Sequence, residues 1–154
     1  MDRLDRKIMR TLVRQGRITN HELADAAGLS PTACARRVRL LEERGLIAGY
    51  RAELGLAAFG LGATVIVSIT LERQTEDTMA AFERAIEDCA AVLWCYLMAG
   101  SDDYLACVAA RDIADFERIH KEQLTRLPGV ASLNSNFALR RIVGRAMPAD
   151  LLGP

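Results

Sequence analysis

Arg36, Arg37 and Arg39 fall within four positions of one another in the segment LSPTACARRVRLLE (29–42). A guanidinium carries five donors in a fixed fork that matches guanine O6 and N7 or the oxygens of a phosphate. A solvated helix face, the alternative reading, ordinarily mixes charges at i and i+4. This segment has no acid before Glu42, so its chemistry is that of a nucleic-acid contact. The other reactive side chains do not assemble into a site. Cys34, Cys89, Cys95 and Cys107 form no C-x-x-C pair, and two histidines are too few for most zinc frameworks. No nucleophile–base pair and no phosphate-cradling glycine motif occurs. No catalytic residue, metal or cofactor is expected, and the cysteines read as small buried hydrophobes in a reducing compartment.

The arginines need a helix to aim them, and the flanking residues supply one. Ser30 is an N-cap and Pro31 takes the first helical position, where a missing N–H costs nothing. At 100° per residue Cys34, Val38 and Leu41 share a core side. Thr32, Ala33, Arg36 and Leu40 lie opposite, with Arg37 and Arg39 on the flanks. Upstream, Leu4, Ile8, Met9 and Leu12 repeat with a helical period over Asp2–Gln15. Thr19 and Glu22 then form a capping box for a short helix ended by Gly28. Helix, glycine turn, helix is the helix-turn-helix outline. Leu46–Ala52 reads as a short hairpin, a small wing carrying Arg51.

In such a module Ser30, Pro31, Thr32 and Ala33 bring the helix N-terminus to the DNA, where its free N–H groups suit a phosphate. Arg36 is the expected base reader and Thr32 adds a methyl or hydroxyl contact. Arg37, Arg39 and Arg51 are expected to hold phosphates, which position without specifying. The charge distribution agrees. Residues 1–52 carry eleven cations against six acids, a net of +5, and the other 102 carry nine against fourteen, a net of −5. A neutral total thus conceals a basic first third.

The second part changes period. Thr64–Leu71 is β-branched and alternating, Thr78–Asp88 helical with Met79, Phe82 and Ile86 on one stripe, and Val92–Met98 and Tyr104–Ala109 are strands around a Gly100–Asp103 turn. Asp112–Leu127 is a helix burying Ile113, Phe116, Leu124 and Leu127, with His120 within its apolar stripe. Val130–Ile142 is the last strand. The order βαββαβ predicts an α+β chain: an N-terminal winged helix-turn-helix, then a ferredoxin-like domain with both helices on one sheet face. The other sheet face still carries apolar side chains and calls for a second copy of the chain, while Trp94 and Tyr96, on one strand face, read as interface or core. The expected divisions are 1–52 for the DNA-binding domain, 53–62 for a linker and 63–154 for the second domain. Charges interrupt the first turn, so no signal peptide is expected, and no apolar run approaches the ~20 residues of a membrane span. The expected location is the cytoplasm, on the nucleoid.

The stretches LDRKIMRTLVRQGRITNHELA (4–24), GLSPTACARRVRLLEERGLIAGY (28–50), GSDDYL (100–105) and LPGV (127–130) resemble, in order and spacing, the Lrp/AsnC family of transcriptional regulators. The resemblance implies a winged helix-turn-helix joined to an effector (RAM) domain. It implies dimers paired through their sheets on pseudo-palindromic double-stranded DNA, commonly joined into octamers, with an amino acid or related small molecule bound between dimers. Carried onto this chain, the implied effector region is Met98, Gly100, Ser101, Asp102, Asp103 and Tyr104. Asp103 would hold an ammonium and the backbone near Gly100 a carboxylate, with Ser132, Asn134 and Asn136 adding hydrogen bonds from the last strand. Asp103 also reads as an ordinary turn residue bonded to backbone, and the three strand residues as an exposed face. The family usually has an aromatic where this chain has Asp102, and often an acid at Ser101, which implies a polar or cationic effector or none. Two rival readings are a siroheme-decarboxylase-like enzyme of the same architecture and a cysteine-based metal or redox sensor. The first calls for histidines and cations that the turn lacks.

Overall fold

The computed structural model describes residues 1–144. It divides into two compact units, one built on Met1–Glu53 and the other on Leu54–Ile142. The expected boundary past residue 144, and the tail 145–154, lie outside the described residues.

The first unit holds α1 (Arg3–Arg14), α2 (Asn20–Ala27) and α3 (Pro31–Glu43). Its core is Ile8, Met9, Leu23, Ala24, Ala27, Cys34 and Leu41, with Val38 and Ile47 packed against it. Each helix begins on a side-chain cap. Thr19 and Glu22 form the expected box and Ser30 Oγ accepts from Ala33 N, while Asp2 and Asp5 form a second box at the start of α1. Gly28 adopts φ 73°, ψ 41° between α2 and α3, a left-handed conformation that only glycine reaches without steric cost.

The expected hairpin at Leu46–Ala52 does not form: that stretch contains no strand. Gly45 turns with φ 68°, and the N–H groups of Leu46 and Ile47 bond back to Leu41 O at 2.9 and 3.2 Å. The first half of the would-be hairpin thus closes α3, and the residues after it have no strand partner among the described residues. The segment 53–62 carries a 3₁₀ turn at Leu56–Phe59.

The second unit is β1 (Ala63–Leu71), α4 (Glu76–Glu87), β2 (Val92–Leu97), β3 (Tyr104–Ala110), α5 (Ile113–Glu122) and β4 (Val130–Ala138). The strands make one antiparallel sheet ordered β2-β3-β1-β4, which is the expected ferredoxin-like βαββαβ arrangement. Val65, Val67, Ile69 and Leu71 of β1 face the helices and are buried with Phe82, Ile86, Phe116 and Ile119. The final helix is shorter than its sequence suggests. It stops at Glu122, and a 3₁₀ turn at Leu124–Arg126 carries the chain to Pro128. Ile113, expected in the core, is 71% exposed because it occupies the first turn, one residue past the Asp112 cap. The last strand ends at Ala138 rather than Ile142. Gly129 has φ +74°, and a β-carbon there would lie 2.5 Å from Thr78 Cγ2. The LPGV turn therefore presses on α4 in a way only glycine allows. No helix among the described residues is long and apolar enough to cross a membrane.

Candidate nucleic-acid interface and effector turn

With the core face of α3 closed by Cys34 and Leu41, its other sides are solvent-facing. Ser30, Pro31, Thr32, Arg36, Arg39 and Leu40 are exposed and Ala33 is half-buried. Asn20 Nδ2 donates to Pro31 O at 3.0 Å, tying the start of α3 to α2. Among the described residues no hydrogen-bond or ion-pair partner is recorded for Arg36. Arg39 is also outward, with its Nε 2.8 Å from Glu43 Oε1, an i,i+4 pair open to solvent. Arg51 is exposed in the extended stretch after Gly49.

Arg37 is different. Its Nη1 lies 2.7 Å from Asp2 Oδ2 and 2.7 Å from Asp5 Oδ1, which corrects its reading as a free phosphate anchor. No local pattern signals this, because the partners are 35 and 32 residues away. The N–H of Asp5 and the Arg37 guanidinium hold the Asp2 carboxyl below the usual carboxylate range.

At the effector turn the expected residues separate. Met98, Gly100 and Ser101 are exposed and Asp102 is half-buried. Tyr104 is 2% exposed, its ring 4.4 Å from Phe82 and its hydroxyl donating to Glu83 Oε1 at 2.9 Å. Its pairing with Ile69 and Leu97 puts it on the helix-covered face, so it belongs to the core and not to an open pocket wall. Asp103 accepts from Leu71 N at 2.7 Å and from Gln74 Nε2 at 2.6 Å. Its carboxylate fastens the β1–α4 loop to the turn, close to the ordinary turn role that the sequence left open.

Ser132, Asn134 and Asn136 do share the bare sheet face and are exposed. Ser132 pairs with Thr70, at the end of β1 that also carries the turn, whereas Asn136 pairs with Ile66. At ~3.3 Å per residue Asn136 lies about 13 Å further along, so only Ser132 stands at the turn's end of the sheet. Half-buried His120 sits at the edge of the core, 6.0 Å from the Phe116 ring. Burial raises the thiols of Cys34, Cys89, Cys95 and Cys107 above their ordinary values, Cys95 to about 11. A raised thiol is a poor thiolate source, which speaks against the redox-sensor reading.

Two family models divide the chain: a winged helix-turn-helix DNA-binding model over residues 1–48 and an Lrp/AsnC ligand binding domain model over residues 64–148. The chain belongs to the Lrp/AsnC family. It is 41% identical over 148 residues to the Bkd operon transcriptional regulator of Pseudomonas aeruginosa, covering 96% of this chain and 97% of that one. It is 40% identical over 142 residues to the leucine-responsive regulatory protein of Escherichia coli K12, covering 92% and 87% respectively. Among solved structures, a transcriptional regulator from Neisseria meningitidis in complex with L-Met superposes with a TM-score of 0.93 at 30% identity, covering 99% of each chain. This Lrp/AsnC member is thus a DNA-binding transcriptional regulator.

Proposed function

We propose that this Lrp/AsnC regulator reads a pseudo-palindromic operator with α3 and that an amino acid or related small molecule modulates its binding or assembly. The observation that carries the first half is Arg36: an exposed guanidinium without a hydrogen-bond or ion-pair partner among the described residues, on a helix whose first turn contains no acid. Its fork suits guanine O6 and N7, with Thr32 beside it. Ser30, Pro31, Thr32 and Ala33 present the helix N-terminus, and Arg39 and Arg51 meet phosphates. One recognition helix spans too few base pairs for selectivity, so a two-fold dimer is required, and the family resemblance extends it to an octamer. The division into 1–52, 53–62 and 63–154 and a cytoplasmic, nucleoid-associated location belong to the same reading. Arg36→Ala is expected to lower discrimination between operator and random DNA by ~1–3 kcal/mol. Equal losses on both duplexes, measured by fluorescence anisotropy, would remove the base-reading role.

The effector half is supported by the L-Met bound to the meningococcal relative. Exposed Met98, Gly100 and Ser101, half-buried Asp102 and the adjacent Ser132 define the region. Asp102 adds a negative charge and favours a polar or cationic amino acid. A thermal-shift screen of the twenty amino acids tests it, since a ligand at ~100 times its Kd adds about 2.7 kcal/mol of stability. A flat response across all twenty would reject an amino-acid effector.

A further inference from the structure

We propose that Arg37 is a positioning residue for DNA recognition, which with Asp2 and Asp5 bolts α3 to the start of α1 and so fixes where Arg36 points. The inference rests on the base-reading role given to Arg36 above. Each of the four carboxylate oxygens of the acidic pair accepts a hydrogen bond within this corner of the unit. Asp2 Oδ1 accepts from Asp5 N at 2.9 Å and Asp5 Oδ2 from Asp2 N at 3.0 Å. The two remaining oxygens, Asp2 Oδ2 and Asp5 Oδ1, share Arg37 Nη1 at 2.7 Å each. The cluster is therefore closed on itself. Turning Arg37 to a phosphate would leave two adjacent carboxylates without their cation, and Asp5 is only 8% exposed. A buried charge stripped of its partner is costly.

The bolt sits where α3 needs it. α3 packs more extensively on α2 than on α1. A depression of about 440 Å³ bordered by Leu29, Ala33, Arg36, Leu40 and Arg44 runs along the flank near α1, with Asp5 and Arg37 also in its wall. The ion pairs join α3 to the start of α1 beside this open depression. Arg36 is the next residue along the helix, so a rotation of α3 released by loss of the bolt moves its guanidinium directly. A base contact needs fork geometry, whereas a phosphate contact tolerates displacement. The effect falls on specificity.

The test uses the full chain with a duplex enriched from a random-sequence pool by the wild-type protein and a scrambled duplex of equal length. Arg37→Gln and Asp5→Asn change the charge of the module in opposite directions. The bolt predicts that both variants lower the selected-to-scrambled affinity ratio roughly ten-fold, with the slope of log K against log salt unchanged. A phosphate contact predicts instead that Arg37→Gln weakens both duplexes equally and flattens the slope by about one. It also predicts that Asp5→Asn, which removes an anion, tightens binding or leaves it alone. Either pattern overturns the proposal. If Arg37→Gln does not fold by circular dichroism, the ratio for Asp5→Asn decides, because asparagine keeps the oxygen that caps Asp2 N. An unchanged ratio for Arg36→Ala would instead discard the base-reading role on which the bolt depends.

Discussion

Arg36 and Arg37 are neighbours of the same type with opposite environments, one open to solvent and the other between two carboxylates. A helical wheel separates them by only 100°, too little to distinguish reader from bolt without the position of α1. The cysteines show the reverse case, where scattered placement in apolar segments was enough. Cys34, Cys89 and Cys95 lie in or against the two cores, Cys107 is buried beside Trp94 on the other sheet face, and burial raises all four thiols. All four are expected to resist a brief iodoacetamide pulse at pH 7.5 and to label fully in denaturant, with Cys34 and Cys107 the slowest in the native protein. Rapid native labelling of any one, read by mass spectrometry, would reopen the redox-sensor reading.

At the scale of elements, caps were legible because they are local. Thr19–Glu22 and Ser30–Pro31 announce α2 and α3 within four residues, where side-chain oxygens reach orphan N–H groups. The hairpin read at Leu46–Ala52 was not legible in this way, since backbone bonds from Leu46 and Ile47 to Leu41 O draw its first half back onto α3. The start of α5 carries its own acid-sensitive fastening. The Asp115 carboxylate binds the Arg111 side chain, the Arg111 N–H and Arg118, and is held well below the usual carboxylate range. Since the folded value lies below that of the unfolded chain, roughly 3.9, the stabilisation is complete above about pH 4. It is lost as pH falls towards the folded value. Asp115→Asn is expected to lower Tm at pH 7, with the gap to wild type closing below about pH 4. A gap independent of pH would show that the ion pairs contribute nothing.

At the largest scale, the described residues cover the sheet with helices on one face. The other carries Trp94, 38% exposed, and Tyr96, 62% exposed, with their rings 5.4 Å apart. Along β4 the same face turns polar at Ser132, Asn134 and Asn136. An aromatic patch of this kind is suited to a protein interface, and the dimer proposed above is tested there. Tyr96→Asp is expected to shift the protein towards monomer at micromolar concentration while retaining its circular dichroism spectrum. Sedimentation velocity checks this, and an unchanged assembly would place the interface elsewhere.

The sequence by itself determined the three helices of the first unit, the βαββαβ order of the second and the cationic face of α3, because periodicity, caps and glycine turns act over a few residues. It also carried the family, through motifs spread from Leu4 to Val130. Tertiary structure alone decided the surroundings of Arg37, Asp103 and Tyr104. Arg37 and Asp103 act through bonds to residues some thirty positions away, and strand register turns Tyr104 to the helix-covered face of the sheet. Such pairings arise only when the chain is folded, and no local pattern records them.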